Sequence, residues 1–251
     1  MSRTERLRFF DADAVLFDLD GVLTPTAEIH MRAWAALFEA ELAKHGATRP
    51  YTDEDYFRYV DGRPRYDGVS AVLESRGIDL PWGDPGDPPD RETVCGLGNR
   101  KNAVFARTLE REGIAPYPGS LAIVDRLVEL GIPAAVVSSS KNARQVLSAA
   151  HLLGRFPVIV DGVVAADEQL PGKPAPDIFV VAAERLGAPP GRAVVVEDAV
   201  SGVAAGAAGG FGLVVGVDRG VGAAALAAAG ADVVVEDLAD LLSADREKDG
   251  S

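Results

Sequence analysis

Ala14-Val-Leu-Phe-Asp-Leu-Asp-Gly-Val-Leu-Thr-Pro-Thr26 is the stretch whose reading decides the fold. Ala14 to Phe17 is a short apolar run suited to a strand buried on both faces, and it gives way at once to two carboxylates and a glycine. Residues two apart in an extended segment project to the same side, so Asp18 and Asp20 can enter one site at the strand's C-terminal end. Open α/β sheets bind their ligands there. Two carboxylates ~4 Å apart repel by about 4 kcal/mol at an effective dielectric of 20, so the pair calls for a counter-ion, a shared proton or open water. A hard divalent cation suits it best.

Outward from this stretch the chain has two textures. Ala27 to His45 carries apolar residues at helical spacing and is closed by Gly46, and Thr52-Asp-Glu-Asp55 caps a short helix through Val60. Another helix follows over about Tyr66 to Arg76. The run Pro81-Trp-Gly-Asp-Pro-Gly-Asp-Pro-Pro89 cannot be regular structure and reads as a surface loop. A long helix is expected from Arg91 or slightly later to Glu112, broken or kinked around Gly96-Leu-Gly98. Past Pro116, short apolar runs alternate with helical segments. The strands fall at Pro133–Ser138, Pro157–Val160, Ala193–Val196, Leu213–Val217 and Asp232–Val235, with helices at Ser120–Leu130, Asn142–Leu153, Pro176–Leu186, Ser201–Ala208 and Gly222–Ala229. That alternation predicts an α/β fold: a Rossmann-like, doubly wound parallel sheet. Strand Ala14–Phe17 belongs to the sheet, so an all-helical cap is inserted after it. The core is expected over 1–28 and 114–251 and the cap over 29–113.

Three further strand ends carry chemistry. Val137-Ser-Ser-Ser-Lys-Asn142 joins a strand to a helix, where hydroxyls either cap the helix or help its N–H groups hold an anion. Gly172-Lys-Pro-Ala-Pro-Asp177 places one lysine before a proline-opened helix and is no P-loop, because Pro174 stands where serine or threonine is needed. Val194-Val-Val-Glu-Asp198 is a buried strand ending in adjacent acids. If the chain turns there, both can reach one oxygen-liganded metal.

The chain has 251 residues, 25 Lys and Arg against 38 Asp and Glu, and a formal charge of −13, so long-range attraction to nucleic acid or an anionic membrane is not expected. A phosphorylated ligand then needs a local cationic pocket. One cysteine, Cys95, excludes an intrachain disulfide and a cysteine-based zinc site. The N-terminus has charge but no apolar stretch behind it, and no run reaches membrane-spanning length, so a cytoplasmic protein is expected. The charged segment Ala244 to Ser251 is expected to fray.

In this order and spacing the four strand ends resemble the motifs of the haloacid dehalogenase superfamily of phosphoryl-transfer enzymes, the first being Asp-x-Asp-Gly-x-[Thr/Val]. The likeness extends to nearly the whole chain. It is closest to the β-phosphoglucomutase branch, through Asp18 to His30, Trp34, Arg65, Arg100-Lys-Asn102, Ser138 to Asn142 and Lys173 to Phe179. What the resemblance implies is an aspartyl-phosphate on Asp18, with Asp20 as general acid/base and Ser138 and Lys173 holding the transferring group. Mg²⁺ would sit on Asp18, the backbone carbonyl of Asp20, Glu197 and Asp198. Thr26 and His30 would position Asp20 beside the substrate, and Trp34 would touch the site from the cap. The resemblance assigns the substrate itself to Gly62, Arg65, Lys101, Ser140, Lys141 and Asn142, with Arg65 on the non-reacting phosphate. The partner it implies is a small phosphorylated sugar, with glucose 1,6-bisphosphate as activator or intermediate if the enzyme is a mutase, and the protein is expected to be a monomer. A sugar-phosphate phosphatase on the same core is the alternative, and a non-catalytic sugar-phosphate-binding protein a remote one. Three features depart from the pattern: Pro25 where the mutases usually carry aspartate, Arg63 beside Arg65, and the Pro81–Pro89 insert.

Overall fold

The computed structural model describes residues 8–246, with side chains to residue 242. The N-terminal seven residues lie outside that range. Strands β1 (Ala14–Phe17), β2 (Ala134–Val137), β3 (Val158–Val160), β4 (Ala193–Glu197), β5 (Leu213–Val217) and β6 (Val233–Val235) form one six-stranded sheet, ordered β3-β2-β1-β4-β5-β6. Every pairing is parallel. This is the doubly wound order, in which the chain leaves β1 toward one edge and later returns to build the other. The switch point lies at β1 and β4. Register sets what meets there: Phe17 is level with Val136 of β2 and Val196 of β4, so the residues that follow the three strands emerge side by side.

Alternation along the strands divides the core. Val15, Phe17, Val136, Val194 and Val196 face one apolar layer, which they share with Ile123, Val124 and Leu127 of α5 (Pro118–Leu130) and with Val146 and Leu147 of α6 (Ala143–Ala149). Ala14, Leu16, Ala135, Val137 and Val195 face the other, against Ile178, Phe179, Ala182 and Ala183 of α8 (Asp177–Leu186) and Val203 of α9 (Val200–Ala208). Strands buried on both faces read as continuous apolar runs, which is how β1 and β4 were legible.

Between β1 and α5 the described chain is helical. α1 (Thr26–Lys44), α2 (Asp53–Asp55) with the wide-turned segment Tyr56–Val60, α3 (Arg65–Glu74) and α4 (Val94–Glu112) enclose their own cluster, including Trp34, Phe38, Leu42, Val69, Val72, Leu73 and Leu97. Thr52 caps α2 as expected, in a reciprocal arrangement with Asp55. The near ends of this block also enter the core: Ile29 and Ala33 of α1 and Phe105 and Leu109 of α4 pack with the β1 face.

Four expectations need correction. α4 is not broken at Gly96-Leu-Gly98; it starts at Val94 with Thr93 Oγ capping Gly96 N–H, and both glycines lie where a side chain has no room, so they serve packing rather than a kink. A Cβ on Gly96 would stand 2.2 Å from the Arg91 carbonyl, and one on Gly98 2.8 Å from the Tyr66 ring. α6 stops at Ala149 rather than reaching Leu153. His151 takes a left-handed φ of 57°, its N–H bonds the Ser148 carbonyl, and Leu152 N–H reaches back to Leu147 O at 2.8 Å, a six-to-one closure that turns Leu152 into the core. Glycine usually marks that position, and none is here. α7 (Gly162–Asp167) was not anticipated: its valines are poor helix formers, and Asp161 Oδ1 nucleates it by accepting from both Val163 and Val164 N–H at 3.0 Å. Finally, α10 (Ala223–Ala229) is followed beyond β6 by α11 (Ala239–Arg246), so Ala244 to Arg246 are helical; the remainder of the expected frayed segment, 247–251, lies outside the described residues.

Candidate active site

The three strand ends at the switch point build the floor of a cavity of about 80 Å³. Asp18 follows β1 and is fixed by its N–H to Val196 O at 2.9 Å. Gly21 comes next in the motif with φ +86°, and a Cβ there would fall 1.7 Å from Asp198 Oδ2, so glycine is what lets the β4 acids approach β1. Gly202, at the start of α9, clears the same kind of space for Glu197.

Lys173 is 2% exposed and lies beneath the cavity rather than in its wall. Its ammonium spends all three donors: 2.5 Å to Asp18 Oδ1, 2.5 Å to Glu197 Oε1 and 3.2 Å to Val137 O. Burial pulls its pKa down; Asp18 and Glu197 outweigh burial and hold the lysine charged, above its ordinary range. One lysine does not balance the acids around it. Burial drives the Asp18 carboxyl well up, Lys173 pulls against that, and Glu197 and Asp20 reinforce the rise. Asp198 is raised in the same way by burial and by Asp61, Glu197 and Asp18. Asp18, Glu197 and Asp198 each bring a ligand oxygen within 4.8 Å of the others. Such an oxygen cluster with surplus negative charge suits a hard cation of the Mg²⁺ type. Glu197 is the most engaged of the three, since its Oε2 also accepts from Asp198 and Ala199 N–H at 2.9 Å each.

Asp20 points the other way, to the helical block. Its Oδ1 accepts a short hydrogen bond from Thr26 Oγ and lies 3.5 Å from His30 Nε2. Burial raises its carboxyl, and His30, Thr26 and Lys101 together more than reverse this, leaving Asp20 below the ordinary carboxylate range. Thr26 itself is wholly buried behind Asp20 and does not line the cavity. His30 stacks on Phe105 at 4.0 Å, and its Nδ1 meets the Lys101 ammonium. Burial, then Lys101, hold His30 low; burial, then Arg65, hold Lys101 well below a free lysine. Lys101 also lies 4.6 Å over the Trp34 ring, so Trp34 is both part of the helical cluster and part of the wall.

Arg65 adds a further cation to the cavity wall. Arg65 Nη2 donates to Asn102 Oδ1 at 2.9 Å, and Asn142 Nδ2 donates to the same oxygen at 2.5 Å. Gly62, Arg63, Lys141, Ser138 and Ser140 also line the cavity. The serines order their own loop: Ser138 Oγ accepts from Ser140 N–H at 3.0 Å and Ser140 Oγ from Asn142 N–H at 3.1 Å. Sequence reasoning left Tyr56, Asp61, Asn102 and Ser139 out of the site, and all four line it. A signal was present for Asn102, in its place beside Lys101, and for Ser139, inside the Ser138–Asn142 motif.

The geometry can do three things. It offers a carboxylate nucleophile beside a fixed ammonium, a second carboxylate held ionised for proton transfer, and an arginine in the same cavity for a second anionic group. No helix among the described residues is long and apolar enough to cross a membrane.

Comparison with known proteins agrees with this arrangement. The family model for haloacid dehalogenase-like hydrolases matches residues 12–210. A β-phosphoglucomutase of Mycobacterium tuberculosis is 49% identical over 239 residues, covering 91% of each chain. A β-phosphoglucomutase of Bacillus subtilis is 32% identical, with 91% of each chain covered. Among solved structures, CbbY from Rhodobacter sphaeroides in complex with xylulose-1,5-bisphosphate superposes with a TM-score of 0.68 at 25% identity, over 91% of this chain and 96% of that one.

Proposed function

The chain belongs to the haloacid dehalogenase-like hydrolase family, and from that premise we propose that it is a β-phosphoglucomutase, interconverting β-glucose 1-phosphate and glucose 6-phosphate through a bisphosphorylated sugar. The observation that carries the reading is the pairing of two differently tuned carboxylates, Asp18 on Lys173 and Asp20 on His30, in one cavity that Arg65 also lines. The 49% identity to a β-phosphoglucomutase over nearly the full length of both chains supports it.

In this mechanism Asp18, whose Oδ1 is committed to Lys173, attacks phosphorus and becomes an aspartyl-phosphate. Lys173 offsets charge on the transferring group. Asp20, held ionised, takes the proton of the attacking sugar hydroxyl and returns it to the leaving oxygen in the reverse transfer. Arg65 holds the phosphate that is not reacting, its planar fork fitting two oxygens at once. Asp18, Asp198 and Glu197 would hold Mg²⁺, which when bound withdraws charge from the phosphoryl oxygens. Residues 29–113 act as a cap. The cavity is well below the 300–1,000 Å³ usual for ligand sites, so the cap opens to admit a sugar phosphate and closes to exclude water.

A sugar-phosphate phosphatase, in which water accepts the phosphoryl group, is the second reading. Asp61 and Arg63 favour it, because they add a carboxyl and a cation to the cavity. One assay separates the two. Enzyme, Mg²⁺, β-glucose 1-phosphate and a trace of glucose 1,6-bisphosphate are mixed, and glucose 6-phosphate and free phosphate are counted in the same reaction. Glucose 6-phosphate in large excess is the expected result; free phosphate in excess would replace the mutase reading with the phosphatase one. Asp18→Asn should abolish both products, and substantial residual turnover would rule out the aspartyl-phosphate.

A further inference from the structure

Two consecutive carbonyls of the helical block are held by two serines of the sheet. The wide-turned segment ends at Val60, and the chain then turns sharply, with Arg63 N–H on Val60 O at 3.1 Å. That turn leaves the carbonyls of Asp61 and Gly62 pointing out of the block. Ser201 Oγ, in the first turn of α9 after β4, donates to Asp61 O at 3.1 Å. Ser139 Oγ, two residues beyond the end of β2, donates to Gly62 O at 2.8 Å. The donors thus come from the segments that follow the two strands flanking β1, and the turn spans the gap between them, facing the cavity that contains Asp18. The fit is close. Gly62 has φ +68°, and a Cβ there would lie 2.3 Å from Ser201 Oγ and 2.9 Å from the Ala199 side chain.

Neither serine contacts the acids or Lys173 through a hydrogen bond among the described residues, so neither acts on the chemistry directly. We propose that Ser139 and Ser201 are positioning residues that fix the phosphoryl acceptor by clamping the Asp61–Gly62 turn over the site. The inference rests on phosphoryl transfer through Asp18. In the second half of that reaction the bond from phosphorus to the Asp18 oxygen breaks, and phosphorus bonds instead to a sugar hydroxyl oxygen, whose proton passes to Asp20. The competing step has the same balance, with a water oxygen as acceptor and inorganic phosphate as product. With the turn clamped over a bound sugar, little space is left for water beside the acceptor. With the turn free, water enters beside a bound sugar.

The test is the double variant Ser139→Ala/Ser201→Ala, assayed with Mg²⁺, β-glucose 1-phosphate and trace glucose 1,6-bisphosphate. Two neutral hydrogen bonds of ordinary strength shift such a partition by about tenfold, so free phosphate per glucose 6-phosphate should rise about tenfold. In the single variant Ser201→Ala, which leaves every cavity-lining residue in place, the rate of aspartyl-phosphate formation from glucose 1,6-bisphosphate should stay within about twofold of wild type, and Ser139→Thr, which keeps its hydroxyl, should hold the parent ratio at its position. An unchanged ratio in a folded double variant overturns the proposal. Amide hydrogen exchange over residues 60–66, measured with Mg²⁺ and glucose 6-phosphate, reads the clamp independently of the acceptor. It should be faster in the double variant. A wild-type enzyme that makes only free phosphate overturns the mutase reading alone, and the exchange experiment then decides the clamp: unchanged exchange would reject it too.

Discussion

Asp61 shows how one carboxyl can couple the site to stability. Burial first, then the charges of Glu197 and Asp20, push it up to about 7, against the opposing pull of the Tyr56 hydroxyl and Lys173. A carboxyl whose folded pKa lies above its unfolded value of 3.8 keeps its proton in the native state while the unfolded chain loses it. Between these two values the protein therefore loses stability as pH rises, and above about 7 the loss is complete. Asp61→Asn removes the ionisation without removing the volume. With EDTA present, this variant should melt at a higher temperature than wild type at pH 8, and the two should converge near pH 4. A thermal shift series across that range checks it; a difference that does not change with pH would place Asp61 in solvent.

At the scale of one element, α4 sets intrinsic propensity against packing. Alanine favours a helix over glycine by about 1 kcal/mol, so Gly96→Ala on propensity alone should stabilise. Its Cβ would meet the Arg91 carbonyl at 2.2 Å, and backbone there cannot move without disturbing the Thr93 cap. Gly96→Ala should therefore lower the melting temperature, and a raised one would show that the Arg91–Thr93 loop yields freely. The same competition explains the misread kink: a pair of glycines in a helical pattern signals weakness when the facing surface is unknown. Here they mark the close approach of α4 to its own N-terminal loop and to the Tyr66 ring.

For the whole molecule, the acids at the switch point are the main electrostatic liability. Asp18 and Glu197 share one lysine, Asp198 lies beside them, and burial denies all three solvent. A cation that binds only the folded chain should stabilise all of it. Mg²⁺ at 100 times its dissociation constant contributes ~2.7 kcal/mol, or about 5–10 °C in a protein of this size. Differential scanning fluorimetry with and without EDTA measures that shift. Asp198→Asn should lose most of it, and a variant that keeps the full shift would move the cation elsewhere.

Local pattern made the sheet, the helical interruption and the four strand-end motifs legible, because each is encoded in contiguous residues: apolar runs for strands buried on both faces, carboxylates and lysine where they end. The Asp18-x-Asp20 spacing, Lys173 and the Glu197-Asp198 pair needed nothing beyond the strand ends to be singled out. What that pattern could not carry was anything set by an approach between segments far apart in sequence. Lys173 touches Asp18 from 155 residues away, Asn142 meets Asn102 from 40, and Ser139 and Ser201 hold the turn at Asp61–Gly62 across 77 and 140. The amino-acid sequence by itself determined the α/β order and the identity of the acids. Only the tertiary structure decided that Asp20 stays ionised while burial raises Asp18, and that Asp61, Tyr56, Asn102 and Ser139 belong to the site. The reason is physical: charge state and hydrogen bonding depend on distance and burial, and these are fixed when the helical block packs against the ends of β1, β2 and β4.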